Sequence, residues 1–198
     1  MFYNIMRIIV YPFILIFLRP VVKGKENIPK NGGYILCANH VSMADVFALA
    51  VPFKKHIRYM AKWELFKFPP LRWMFLALGS FAVKRGEGDT GSIDKACEIL
   101  ENGGVFGIFP EGTRSKGGPI GKAKSGAAVV AAKTKATLVP VSIRYSSGKY
   151  RLFCKTYINI GKPILYTSPE DSLSMRGEIR KITNNLMQNI TSLWEESV

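Results

Sequence analysis

Acidic residues are scarce. The chain sets 14 aspartates and glutamates against 28 lysines and arginines, for a formal net charge of +14. That surplus attracts anionic partners of several kinds (phosphorylated metabolites, acidic proteins, anionic lipid surfaces, nucleic acid) and does not choose among them. Cysteine is sparse too. Cys37, Cys97 and Cys154 are scattered, odd in number and without metal-ligand spacing, so they read as small buried hydrophobes in a reducing compartment. Histidine occurs only at positions 40 and 56, and no metal site is apparent.

Long apolar runs are missing as well. The opening MFYNIMRIIVYPFILIFLRP is uninterrupted only from Ile8 to Leu18, eleven residues with Pro12 among them. A helix that crosses a bilayer needs roughly 20. Arg19-Pro20 follows where a signal peptide would carry small cleavage-site residues. Three readings remain: an interfacial or re-entrant membrane element, a buried core helix, or a marginal span stretched to include Met1–Ile5. Flanking Arg7, Arg19, Lys23 and Lys25, with Phe2, Tyr3 and Tyr11, suit an interface with anionic headgroups. Residues 1–22 are therefore expected to associate with a membrane, and residues 23–198 to form one domain, since 198 residues suffice for a full core and no repeat or linker interrupts them.

Apolar periodicity supplies the elements. Tyr34–Ala38 is a short apolar run after Gly32-Gly33 and predicts a buried strand. Further strands are expected at Ile57–Ala61, Phe81–Lys84, Val105–Phe109, Leu138–Ile143 and Tyr150–Ile160, the last half-exposed with alternating residues. Helices are expected from Ser42 to about Val51, over Ser92–Glu101 with Ser92 as N-cap, and over Lys124–Lys133. Trp63–Leu78 divides into two helical pieces around Pro69-Pro70. Ser168-Pro169-Glu170-Asp171 has the N-cap, proline and acids that open a terminal helix reaching about Trp194. Strands alternate with helices, so the fold class is α/β: a single domain with a largely parallel mixed sheet flanked by helices, plus the apolar N-terminal segment.

In CANHVSMADVF, residues 37–47, His40 and Asp45 are five positions apart. On a continuous helix they would point about 140° apart. Ser42-x-x-Asp45 has the form of a capping box, however, which places His40 in the turn before the helix and lets Asp45 point back toward it. A carboxylate on one imidazole nitrogen fixes the tautomer, leaves the other nitrogen as a base and stabilises the imidazolium that forms. Taken alone, the pattern fits equally a helix cap beside a loop histidine. His56, within Lys54-Lys55-His56, reads as a solvated loop residue.

Phe109-Pro110-Glu111-Gly112-Thr113-Arg114-Ser115 also follows a strand, and Gly79–Arg85 leaves Arg85 at the end of another. Open α/β sheets bind ligands beyond the carboxyl ends of their strands. Two arginines converging there make a phosphate clamp.

Together these stretches resemble the glycerolipid acyltransferase family over nearly the whole chain. Asn39–Asp45 is similar to the family's His-x4-Asp block, Gly79–Arg85 to its second block, Phe109–Ser115 to its phosphate-binding block and Leu138–Ser142 to its fourth. One departure is Met43-Ala44, where a bulkier polar pair is usual; it bears on acceptor preference. The resemblance implies that His40, oriented by Asp45, removes the proton of a glycerol hydroxyl as it attacks an acyl thioester. Arg85 and Arg114 would hold the acceptor's phosphate, with Glu111, Gly112 and Thr113 shaping and completing that loop. The expected reaction converts 1-acyl-sn-glycerol 3-phosphate to phosphatidic acid, with another lysophospholipid or glycerol 3-phosphate as alternative acceptors. No cofactor is expected beyond acyl-CoA or acyl carrier protein as co-substrate. The expected location is a membrane, on the cytoplasmic face. Trp63–Leu78 would line an acyl tunnel, face the bilayer or sit in the core.

Two rival readings compete with this one. Gly86-Glu87-Gly88-Asp89-Thr90-Gly91 spells the dinucleotide motif G-x-G-x-x-G, but Glu87 and Asp89 put negative charge where a pyrophosphate would need N–H donors. A basic membrane- or nucleic-acid-binding module without catalysis would explain the charge and Lys149–Phe153, yet would have no use for the His40–Asp45 turn. No nucleic acid is expected as a partner.

Overall fold

The structure, a computed structural model, describes residues 2–77, 79–83, 90–115, 120–166 and 174–197. Its strands are β1 (Pro20–Lys23), β2 (Tyr34–Ala38), β3 (Ile57–Lys62), β4 (Phe81–Val83), β5 (Val105–Ile108), β6 (Thr137–Tyr145) and β7 (Thr156–Ile160). The helices are α1 (Phe2–Leu18), α2 (Asp45–Leu49), α3 (Pro69–Ala77), α4 (Thr90–Glu101), α5 (Gly126–Thr134) and α6 (Met175–Glu195). All strands join one sheet in the order β1-β7-β6-β2-β5-β3-β4. Pairing is parallel except between β6 and β7. The expected α/β class with a mixed, mostly parallel sheet is what forms.

β2 is central and buried along its whole length. Its alternate side chains feed two apolar layers, as the pleat requires. Tyr34, Leu36 and Ala38 pack with Leu18, Leu49 and Phe53 on one face; Ile35 and Cys37 pack with Ile99, Val130 and Leu186 on the other. Thus α2 and the end of α1 cover one side while α4, α5 and α6 cover the other. The chain leaves β2 toward β3 but leaves β5 toward β6, so the switch in direction opens a crevice beyond the adjoining carboxyl ends of β2 and β5.

Several expected boundaries move. The helix read from Ser42 begins only at Asp45, with Ala44 at its N-cap. The strand read over Tyr150–Ile160 begins at Thr156; residues 152–153 form a turn, Phe153 has φ +65° and its ring packs on Phe17 at 5.3 Å. Thr156 and Ile158 are buried and Arg151 and Lys155 exposed, as the expected alternation has it, whereas Leu152 is exposed and Asn159 buried against it. α5 starts at Gly126, not Lys124. β1 carries residues 20–22 into the sheet by pairing with β7, so the expected boundary after residue 22 falls inside a strand. Trp63–Phe66 is a 3₁₀ turn and Pro69 starts α3, the two pieces anticipated. The motif opening the terminal helix, Ser168–Asp171, lies outside the described residues; α6 is capped by Ser174, whose side chain accepts from the Gly177 amide. Among the described residues, no helix is long and apolar enough to cross a membrane.

Candidate active site

Cys37 of β2 pairs with Ile108 of β5, so the turns following the two strands start side by side. One turn carries His40 and the other residues 109–115. His40 Nδ1 lies 2.8 Å from Asp45 Oδ2. The same oxygen accepts the backbone N–H groups of Val41 at 2.7 Å and Ser42 at 2.8 Å. Half of the expected capping box thus exists: Asp45 reaches back to the Ser42 amide, while Ser42 Oγ accepts from Ala44. The other carboxylate oxygen, Oδ1, accepts the Tyr145 hydroxyl at 2.5 Å. Asp45 is fully buried, and four donors offset what its carboxylate loses in leaving water.

The carboxylate on Nδ1 selects the tautomer with hydrogen there, leaving the Nε2 lone pair for a ligand. The ring is flat against Phe109, 4.0 Å between centroids and 16° between planes, and Phe109 in turn stacks on Tyr59. That stack needs Gly107 in β5, because a Cβ there would stand 2.5 Å from the Tyr59 ring.

The main chain around His40 is held as firmly as its ring. Its N–H donates to Glu111 Oε1 at 2.9 Å, and its carbonyl accepts the Ser115 amide at 2.8 Å. Asn39 exchanges two hydrogen bonds with the Ile143 backbone, extending the strand pairing by one side chain. Glu111 Oε2 accepts the Gly121 amide at 2.9 Å. Glu111 thus shapes the loop, as the resemblance implies: both its oxygens sit on backbone amides, and the residue is not among those lining the cavity.

That cavity, about 570 Å³, opens beside His40. Met43, Val46, Leu65, Phe75, Val83 and Ile108 make it apolar at depth, while Thr113, Arg114 and Lys124 supply its polar part. Gly112 turns the loop with φ +71°, and the stem of Lys124 packs 3.0 Å from where a Cβ would sit. Orphan N–H groups at the start of α5, whose Gly126 lines the same space, add a favourable field for an anion beside the two cations. Of the expected phosphate clamp, Arg114 shares the cavity with His40; Arg85, like Gly86–Asp89 of the dinucleotide motif, lies outside the described residues. His56 is no solvated loop residue: its Nε2 is buried, with the ring against Gly79. Among the described residues, no group of three metal-ligating side chains comes together.

Neither Tyr145 nor Lys124 carries a site signal in sequence: Tyr145 lies two residues beyond the expected end of β6, and Lys124 opens an expected helix. Burial, and then the Asp45 carboxylate, push the Tyr145 phenol far above its ordinary range, so it remains a donor.

An acyltransferase family model matches residues 19–144, which include both turns and all of the cavity lining. The chain belongs to the glycerolipid acyltransferase family. Over 188 residues it is 33% identical to a 1-acyl-sn-glycerol-3-phosphate acyltransferase of Bacillus subtilis, covering 91% of this chain and 92% of the relative. A protein of that name from Borreliella burgdorferi is 26% identical over 183 residues, covering 91% and 70%. The crystal structure of the 1-acyl-sn-glycerophosphate acyltransferase PlsC from Thermotoga maritima superposes with a TM-score of 0.71 at 29% identity, covering 97% of this chain and 79% of that one. In this glycerolipid acyltransferase, then, the His-x4-Asp stretch and the Phe109–Ser115 stretch are the two walls of one crevice.

Proposed function

We propose that the protein transfers a fatty acyl group from an acyl thioester to the free hydroxyl of 1-acyl-sn-glycerol 3-phosphate, giving phosphatidic acid. The observation that carries this reading is the His40–Asp45 pair, placed at the mouth of a cavity that is apolar at depth and cationic at its rim. A glycerolipid has that polarity: acyl chain in, phosphate out.

In this mechanism His40 Nε2 takes the proton of the acceptor hydroxyl as the oxygen attacks the thioester carbonyl. The C–O bond forms, the C–S bond breaks, and the imidazolium returns its proton to the departing thiolate. Asp45 stabilises the imidazolium in between. No acyl-enzyme is formed, since the substrate hydroxyl is the nucleophile. General-base help of this kind is worth roughly 10²–10⁴ in rate. Arg114, with Lys124 beside it, holds the acceptor phosphate; Arg85 belongs to the same clamp in the family pattern. Both acyl-CoA and acyl carrier protein fit as donors, and no cofactor is required.

The acceptor is membrane-borne, and the exposed apolar surface suits a protein that works at a lipid interface, on the cytoplasmic face. Ile8, Phe13 and Ile16 of α1 are exposed, as are Trp73 and Leu76 of α3, which packs beside α1, and Phe153, which stacks on Phe17. The N-terminal segment then lies on the membrane while the remainder forms the acyltransferase domain.

Purified protein incubated with the lysophospholipid and either donor should form phosphatidic acid, and removal of residues 1–18 should release it from anionic vesicles. Absence of product with every lysophospholipid and both donors would refute the activity, and equal vesicle binding by the truncated chain would refute the membrane role of α1.

A further inference from the structure

The Asp45 carboxylate has an uneven environment. Oδ2 is shared by His40 Nδ1 and two backbone amides, whereas Oδ1 has, among the described residues, the Tyr145 hydroxyl alone. No lysine or arginine among the described residues pairs with this buried charge; the His40 ring, which becomes cationic only on taking up a proton, is its side-chain partner at Oδ2. Tyr145 is itself buried at the end of β6, 100 positions away along the chain, and its ring is set by an edge contact with Tyr150 at 5.6 Å.

We propose that Tyr145 is a positioning residue for the base: by donating to Asp45 Oδ1 it fixes the plane of the carboxylate, keeps Oδ2 on the imidazole and draws charge away from it. The proposal rests on the reading of His40 as the base. A carboxylate pinned on one oxygen only can swing about its own bond. Pinned on both, it meets His40 in one orientation. The phenol does not ionise in the working range, because burial and the neighbouring carboxylate both oppose it, so the donation persists wherever the enzyme turns over.

Losing the donor concentrates negative charge on Oδ2, which favours imidazolium over imidazole. The acid limb of the kcat/KM profile, which reports deprotonation of the base in free enzyme, therefore moves to higher pH. The other polar groups near the pair remain in place: Glu111 on the His40 amide, Arg114, Lys124 and Tyr59 in the cavity wall, and Tyr150 and Cys154 beside Tyr145.

The test is Tyr145→Phe in the full-length protein, with a second form carrying 3-fluorotyrosine at the same site, a stronger donor of nearly the same shape. Tyr145→Phe should lower kcat roughly 10- to 100-fold, the cost of one hydrogen bond to a charged group, with both KM values within about twofold. Its acid limb should rise by several tenths to about one pH unit. Fluorotyrosine should move the limb the opposite way, and it keeps the proposal testable where the phenylalanine variant does not fold. An unchanged kcat and pH profile, with only the melting temperature lowered, would mean that Tyr145 merely packs and would overturn the proposal. So would a rise in KM alone. Full activity in a parallel His40→Ala protein would instead overturn the base assignment itself, whatever Tyr145 does.

Discussion

The backbone N–H of His40 donates to Glu111 Oε1 at 2.9 Å across 71 positions of sequence. Because Glu111 Oε2 accepts the Gly121 amide, one buried carboxylate fastens the base-bearing turn to the segment that leads to Lys124 and α5. The position of the base-bearing turn is thus set by a side chain of the neighbouring loop.

Glu111→Ala should accordingly act through His40 and not through the acceptor. Two backbone N–H groups, one on half-buried His40 and one on exposed Gly121, lose a charged acceptor, which costs about 1–3 kcal/mol of stability. At a temperature where the variant is folded, kcat should fall at least tenfold while the KM for the phosphate-bearing acceptor stays within about twofold. Denaturant unfolding and steady-state kinetics check both halves. An acceptor KM that rises with kcat unchanged would place the Glu111 carboxylate on the substrate after all.

Arg114→Lys keeps the charge and loses the planar fork. The acceptor KM should rise about tenfold or more, and the donor KM should change little. Lys124→Ala should act in the same direction, and the double variant should show less than the summed loss if both hold one phosphate. An acceptor analogue without phosphate should be a poor substrate, indifferent to either substitution. A selective rise in donor KM would assign the cationic rim to the donor.

Alkaline pH should weaken the fold through its buried tyrosines. Burial pushes the Tyr34 phenol up to about 12 from an ordinary 10.0, and Tyr145 and the Cys37 thiol are driven upward as well. Between about pH 10 and 12 the unfolded chain gives up phenolic protons that the native state retains. It then binds fewer protons than the native state, and stability falls as pH rises. Below about pH 9 the contribution is fully present; it is lost above the ordinary value of each group, 9.0 for the thiol and 10.0 for the phenols, by up to about 1.4 kcal/mol per pH unit for each. Melting temperatures measured from pH 8 to 11.5 should decline beyond pH 10, less steeply in Tyr145→Phe. A flat profile would contradict the burial argument.

Local pattern sufficed where the local environment decides. Tyr34–Ala38 was legible residue for residue, because an unbroken apolar run between Gly33 and Asn39 has no exposed face to hide. The approach of Asp45 to His40 was legible because a capping pattern at a strand end turns the carboxylate back toward the loop; that the pair is more than a cap beside a loop histidine was legible only from the resemblance. Pairing between distant segments was not legible. Pro20–Lys23, two valines between a proline and a lysine, is too short to announce a strand, and becomes one only because Thr156–Asn159 lies beside it. β6 continues to Tyr145 for the same reason, through its antiparallel partner β7, and that extension is what delivers a phenol to Asp45. The partners of Glu111 were not legible, because two backbone amides folding back onto a carboxylate leave no trace in sequence.

The central claim is that His40 is the base. Its most direct measurement is the rate of phosphatidic acid formation by His40→Ala, taken with circular dichroism and melting of the same sample. The ring contributes a stack on Phe109 but no core packing, so the variant should remain folded. Its kcat should be lower by at least about 100-fold, the scale of a lost general base, with acceptor KM little changed. A folded His40→Ala protein that turns over within a few-fold of wild type would contradict the account.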